Sequence, residues 1–226
     1  MNAILKGASL VWTRPELRGF IWRPLVRGVV WSAGFVALSF FLFRPFIDGY
    51  LQSLGVLGGW ASGLSWILVA VIWFFILGPA FHVIAITASA MEWEKLSLEV
   101  EKLVHGPNVP NRRLGALAAL SENGKRLPRG LATAIVCGML APVFLGLVSA
   151  FIAGWQCRYD YTAPAFIRRG VVWPQQKALA AKLPGINSLH AVGGISALIP
   201  IVNLLMIPAL VAGGTLLTAE RYPHET

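Results

Sequence analysis

Twenty-seven consecutive residues, Leu64 to Ala90, contain no Asp, Glu, Lys or Arg. As an α-helix such a run measures roughly 40 Å, more than the ~30 Å hydrocarbon core of a bilayer. A segment this long and apolar satisfies its backbone internally and turns its side chains to lipid, so an integral membrane protein is expected. Composition agrees: of 226 residues, 56% are hydrophobic and 13% charged, far from the balance of ordinary soluble domains. At this length one domain, 1–226, is expected, its apolar surface covered by lipid rather than by one large interior.

The formal charge of +9 does not point to nucleic acid. The basic residues stand at the ends of apolar runs, not in a patch interleaved along the sequence with aromatics. Cys137 and Cys157 show neither CxxC spacing nor a neighbouring His, and read as inert thiols in a reduced compartment. The first apolar run begins only after Pro24 and lacks a small-residue cleavage pattern, so it is expected to stay in the mature protein.

Along the chain, Ile4, Leu5, Ala8, Val11 and Trp12 recur at helical spacing. This predicts an interfacial helix over 1–12, with an ordinary docking helix as the alternative. Thr13-Arg14-Pro15-Glu16 reads as a capping box, with Thr13 as N-cap, proline in the first turn and Glu16 folding back. A first span follows over 17–43, ending before Arg44 and Pro45. The second span, 64–104, leaves the membrane after Ala90. Trp93, Leu96, Val100 and Leu103 keep helical spacing there while Glu92, Glu94, Lys95, Glu99, Glu101 and Lys102 meet water. Two further apolar segments, 131–155 and 191–219, are interrupted by Pro142 and by Pro200, Asn203 and Pro208.

Lysine and arginine placement predicts how these two segments sit, because cytoplasmic loops collect such residues. Residues 1–27 hold five, 91–130 seven, 156–190 five, and Arg221 follows, while Arg44 stands alone after the first span. If segments 131–155 and 191–219 dip in and return as hairpins, eighteen cations lie inside with both termini and one lies outside. A straight crossing of 131–155 would put Arg158, Arg168, Arg169, Lys177 and Lys182 outside; a kinked full span is the alternative for each segment. Half-helices of about 12 residues reach roughly 18 Å, and their tips must be buried in protein or line a water-filled cavity.

The interiors of the four apolar segments contain no Asp, Glu, Lys or Arg, which argues against an ion-coupled carrier with a buried carboxylate. His82, deep in the second span, reads either as a proton relay or as a neutral His bonded to a neighbouring helix. Asn203, between Pro200 and Pro208, either caps the hairpin tip or lines an aqueous path. At the helix start near Thr13, free N–H groups, the helix dipole and Arg14, Arg18 and Arg23 suit an oxyanion. Glu16 offers its own carboxylate to the same terminus, and both readings stand. No Ser-His-Asp, HExxH, P-loop or GxGxxG arrangement occurs, so no catalytic residue, metal ligand or cofactor site is expected. Gly193-Gly194 and Gly213-Gly214 read as points of close helix packing.

The stretch Ser196–Thr215, with Ile199-Pro200, Asn203-Leu204-Leu205, Pro208 and Gly213-Gly214-Thr215, resembles the "IPxxNLLxxPxxxxGAT" signature of the CysZ sulfate-permease family. Tyr159-Asp160-Tyr161-Thr162-Ala163-Pro164 followed by Arg168-Arg169-Gly170 is similar to its "YLDYP…RRG" element. Arg14-Pro15-Glu16-Leu17-Arg18-Gly19-Phe20 with Pro24-Leu25 is similar to its "xPGLRRFxxxPL" start of the first long helix. The likeness covers the chain in matching order.

The resemblance implies an all-α integral membrane fold: two long transmembrane helices, two partly penetrating re-entrant hairpins and assembly as a homo-oligomer in lipid. It also implies sulfate uptake across the bacterial inner membrane for cysteine biosynthesis, by a channel-like path without ATP. The family's sulfate-binding Gly-Leu-Arg-Arg carries over to Leu17 and Arg18 only. Glu16 stands at the glycine, as a backbone position, and Gly19 at the second arginine, which either shifts the expected site toward Arg14 or Arg23 or removes it. A non-transporting membrane scaffold or assembly factor is the alternative, since the broader family includes eukaryotic proteins of other roles.

Overall fold

The computed structural model describes residues 2–53, 63–64, 66–67, 89–109, 121–122, 124–140 and 147–223. Among the described residues there are eight helices and no strand: α1 (Asn2–Thr13), α2 (Pro15–Ser53), α3 (Ala90–His105), α4 (Leu127–Leu140), α5 (Leu147–Arg168), α6 (Trp173–Ala180), α7 (Ile186–Ala197) and α8 (Pro200–Arg221). Most of the run from Leu64 to Ala90, with His82, lies outside the described residues, as does Pro142.

The core forms around α8. Its Ile207, Leu210, Val211 and Leu216 are fully buried, and α1, α3, α5 and α7 all pack on it. Small residues make this possible, because they let backbones approach. A Cβ on Gly7 of α1 would stand 2.6 Å from the Gly213 nitrogen, and one on Gly214 would stand 2.4 Å from the Tyr161 carbonyl oxygen. The glycine pair at 213–214 is thus a packing point, as its sequence context indicates. Helix α1 docks on α8 through Ile4, Gly7 and Val11, while Leu5 and Trp12 remain exposed.

Helix α2 has 39 residues, roughly 58 Å at 1.5 Å per residue. Leu17, Ile21 and Leu25 recur every four residues and bury one face beside α3. Beyond them Val29, Val30, Trp31, Leu38, Phe41, Leu42, Phe46 and Tyr50 are exposed large apolar side chains. The helix does not stop at residue 43. It continues through Pro45, which forfeits one backbone bond, and Arg44 and Asp48 form an i,i+4 ion pair at 3.5 Å across that point.

Helices α4 and α5 lie side by side. The Ser149 hydroxyl donates to the Cys137 carbonyl at 2.7 Å, whereas twelve residues of continuous helix would separate them by roughly 18 Å. Helices α7 and α8 are also antiparallel: Gly185, before α7, faces Leu217 near the end of α8. Their junction is Leu198-Ile199, after which Pro200 opens α8. Segment 191–219 is therefore broken once among the described residues. A proline in the first turn loses no helical bond, and Pro208 sits inside α8 without ending it.

The tightest crossing is between α5 and α7, where a Cβ on Gly194 would stand 2.1 Å from the Ala150 carbonyl oxygen. Backbone atoms cannot rotate away, so Gly194→Ala must push the helices apart. A loss of about 1–3 kcal/mol is expected, read as a lower Tm of the detergent-purified protein.

Candidate anion-binding site

Arg14 is the single residue between α1 and α2, and Glu16, Leu17 and Arg18 form the first turn of α2. Thr13 is not an N-cap. Its hydroxyl donates back to the Ser9 carbonyl at 2.6 Å, and the Arg14 N–H donates to Leu10 at 3.1 Å. Helix α1 thus runs through Thr13 and leaves no room for a capping box. Pro15 has no N–H, and the Leu17 N–H donates to the Arg14 carbonyl at 3.2 Å. Part of the expected backbone donor set is already used.

The side chains divide sharply. Leu17 is in the core, with 1% exposure, while Arg14, Glu16, Arg18 and Arg23 are exposed. None of these four side chains has a hydrogen-bond or ion-pair partner among the described residues. Residues two apart on a helix face opposite sides, whereas residues four apart share one. Glu16 therefore points away from Arg18 on α2, and Arg14 precedes the helix. The arrangement is a helix start at which the Arg14 and Arg18 guanidiniums are exposed.

Asn203, fully buried on the first turn of α8, faces α5 rather than the helix end. Its Oδ1 accepts from the Tyr161 hydroxyl at 3.5 Å, and no side chain caps α8. The reading of Asn203 as a cap for the hairpin tip is corrected accordingly: the α7–α8 junction lies four residues earlier, at Ile199, and the amide cross-links α8 to α5. The Asn203 Nδ2 is buried without an acceptor among the described residues.

Between α3, the end of α5 and α8 lies a charge network that sequence spacing did not bring forward. Glu101 of α3 is fully buried and accepts from Arg168 at 2.5 Å and from Arg169, both at the end of α5. Arg168 also donates to the Ser97 hydroxyl at 2.9 Å, and Thr215 of α8 donates to the same oxygen at 2.8 Å. Arg169 reaches the Tyr222 carbonyl at 3.2 Å. Burial pushes the Glu101 carboxyl up, but the hydrogen bond from Arg169 and the charges of Arg168 and Arg169 outweigh it and hold the carboxyl below its ordinary value. Arg168-Arg169-Gly170 thus joins three helices. Its only signal in sequence was the likeness to a family element.

A family model described as "Sulfate transporter CysZ/Etoposide-induced protein 2.4" matches residues 3–208. The protein named "Sulfate transporter CysZ" of Pseudomonas fluorescens (strain Pf0-1) is 30% identical over 232 residues, covering 93% of this chain and 89% of the relative. The one so named in Pseudomonas syringae pv. tomato (strain ATCC BAA-871 / DC3000) is 27% identical over 217 residues, covering 89% and 85%.

Proposed function

The chain belongs to the sulfate transporter CysZ/etoposide-induced protein 2.4 family, and we propose that it is a sulfate permease of the bacterial inner membrane that supplies cysteine biosynthesis. The observation that carries this reading is the match, over nearly the whole chain, to two relatives named as sulfate transporters. The exposed start of α2 supports it, because Arg14 and Arg18 stand there without a neutralising partner and Glu16 faces the other side.

In this reading the apolar stretch of α2 from Val29 to Tyr50 meets lipid or another copy of the chain. The pairs α4–α5 and α7–α8 enter the membrane part-way and return, with both chain termini on the cytoplasmic side. One helix, Val202–Arg221, is long and apolar enough to cross a membrane among the described residues, and 78% of its most apolar window is buried in protein. Such burial places this helix at the centre of its own chain's packing. Sulfate is drawn to Arg18 and Arg14 and passes along a path enclosed by a homo-oligomer, with Asn203 and the junction at Pro200 beside it.

The test is uptake of radiolabelled sulfate into liposomes holding the purified protein. Uptake above empty liposomes is expected. Arg18→Ala is expected to lower it about five-fold, the effect of ~1 kcal/mol. Uptake equal to that of empty liposomes under every imposed gradient would sink the permease reading and leave a membrane scaffold in its place.

A further inference from the structure

We propose that the basic cluster of Arg126, Arg129, Arg158 and Lys177, at the base of the α4–α5 pair, is a built site for a tetrahedral oxyanion group. In sequence these residues are scattered over 52 positions and serve only to count charge. In the fold they interleave with three aromatic rings. The Arg129 guanidinium carbon lies 4.3 Å from the centre of the Trp155 ring, 5.5 Å from Tyr159 and 5.6 Å from Trp173. Arg126 lies 4.7 Å from Trp173, Arg158 4.8 Å from Tyr159, and the Lys177 ammonium 5.3 Å from Trp173. Stacking on ring faces holds guanidiniums flat and leaves their N–H edges to donate sideways.

Those edges lack acceptors. Nη1 and Nη2 of Arg129 and Nε of Arg126 and Arg158 are buried nitrogens with no hydrogen-bond partner among the described residues. The cluster's other polar bonds are spoken for: Arg126 Nη2 donates to Gln176, Arg158 Nη2 to the Tyr159 hydroxyl at 2.8 Å, and Lys125 to Glu122 at 2.5 Å. Glu122 also accepts from the Trp173 backbone at 2.9 Å. Asp160 accepts from the Gln156 amide at 3.1 and 3.2 Å. With Lys125 there are five cations against these two carboxylates, an excess of three positive charges. Burial first, and then the charge of Arg129, push the Lys177 ammonium below its ordinary value.

Buried charged donors without acceptors are costly, and an acceptor that is itself negative and has several lone pairs offsets that cost most fully. A tetrahedral oxyanion meets both needs, accepting from two or three guanidinium edges at once. Sulfate and a phospholipid phosphate share that chemistry. That transported sulfate occupies the site rests on the permease reading, whereas the oxyanion site itself rests on the cluster.

The test reads binding, not transport, so it stands whether or not uptake is found. Purified protein in phosphatidylcholine nanodiscs is titrated with radiolabelled sulfate, and protein purified with phosphatidylglycerol is examined by native mass spectrometry for retained lipid. Arg129→Gln is expected to weaken sulfate binding at least ten-fold, with partial recovery in Arg129→Lys. Loss of retained phosphatidylglycerol in Arg129→Gln, with sulfate binding unchanged, identifies a lipid phosphate as the oxyanion. Lys177→Gln, at the partly exposed rim, is the second variant should Arg129→Gln not fold, with a several-fold loss expected. Unchanged sulfate binding and unchanged lipid retention in the folded variants overturn the proposal.

Discussion

Replacing Glu101 by alanine is expected to destabilise the protein by about 3–5 kcal/mol, because it takes from two interior guanidiniums the carboxylate that both contact. Arg168 is 1% exposed and Arg169 10%, and Glu101 is the carboxylate that both contact. Thermal unfolding in detergent measures the loss. Adding Arg168→Met to Glu101→Ala is expected to recover part of it, since the cost lies in the unpaired charge more than in the missing contact. The same carboxylate gives a pH signature. Its folded pKa is depressed, so its contribution is complete above the ordinary carboxylate range and disappears as pH falls through the folded value. The native protein should lose stability on acidification in that window, and Glu101→Gln should flatten the profile. A profile unaltered by Glu101→Gln would refute the role given to this network.

The second large effect separates packing from binding at the start of α2. Leu17→Ala removes a fully packed side chain that lies among Ile21, Leu25, Trp93 and Leu96 in one cluster, and about 2–5 kcal/mol of stability should go with it. Arg18→Ala, one residue away and exposed, should leave Tm nearly unchanged, within about 0.5 kcal/mol. Sulfate uptake should reverse the ranking: per folded molecule, Leu17→Ala retains it and Arg18→Ala lowers it. A similar loss of uptake in both, at equal folded protein, would mean that the geometry of the turn matters more than its charge.

Helical content and the positions of Pro200 and the paired glycines were legible in the sequence, because each depends on local chemistry. Proline marks where a helix can start, and a glycine pair in an apolar run marks where another backbone can approach. Thr13 was misread because the capping-box pattern spans four residues and cannot register that α1 continues through it, with the threonine hydroxyl bonded to Ser9. Asn203 was misplaced for a related reason. Two prolines eight residues apart suggested a broken tip, while the fold breaks only at the first and turns the amide inward to Tyr161. Glu101 looked like a solvated residue among Glu99 and Lys102, and its partners stand 67 and 68 positions away on another helix. The arginine–aromatic cluster was hidden for the same reason: the aromatics interleave with the cations only after α4, α5 and α6 have packed.

The contact between Gly7 and Gly213 also bears on how the protein is made. The surface of α8 that receives α1 is synthesised about 200 residues after α1 itself. At ~5–20 residues per second this interval is roughly 10–40 s. During that time α1 has its contacts with α2 and α3 but lacks its main partner, so the face around Ile4 and Gly7 must wait in the bilayer interface or on a chaperone until α8 emerges. A chain cut short before α8 would keep that apolar face bare, giving cellular quality control a direct way to recognise unfinished copies.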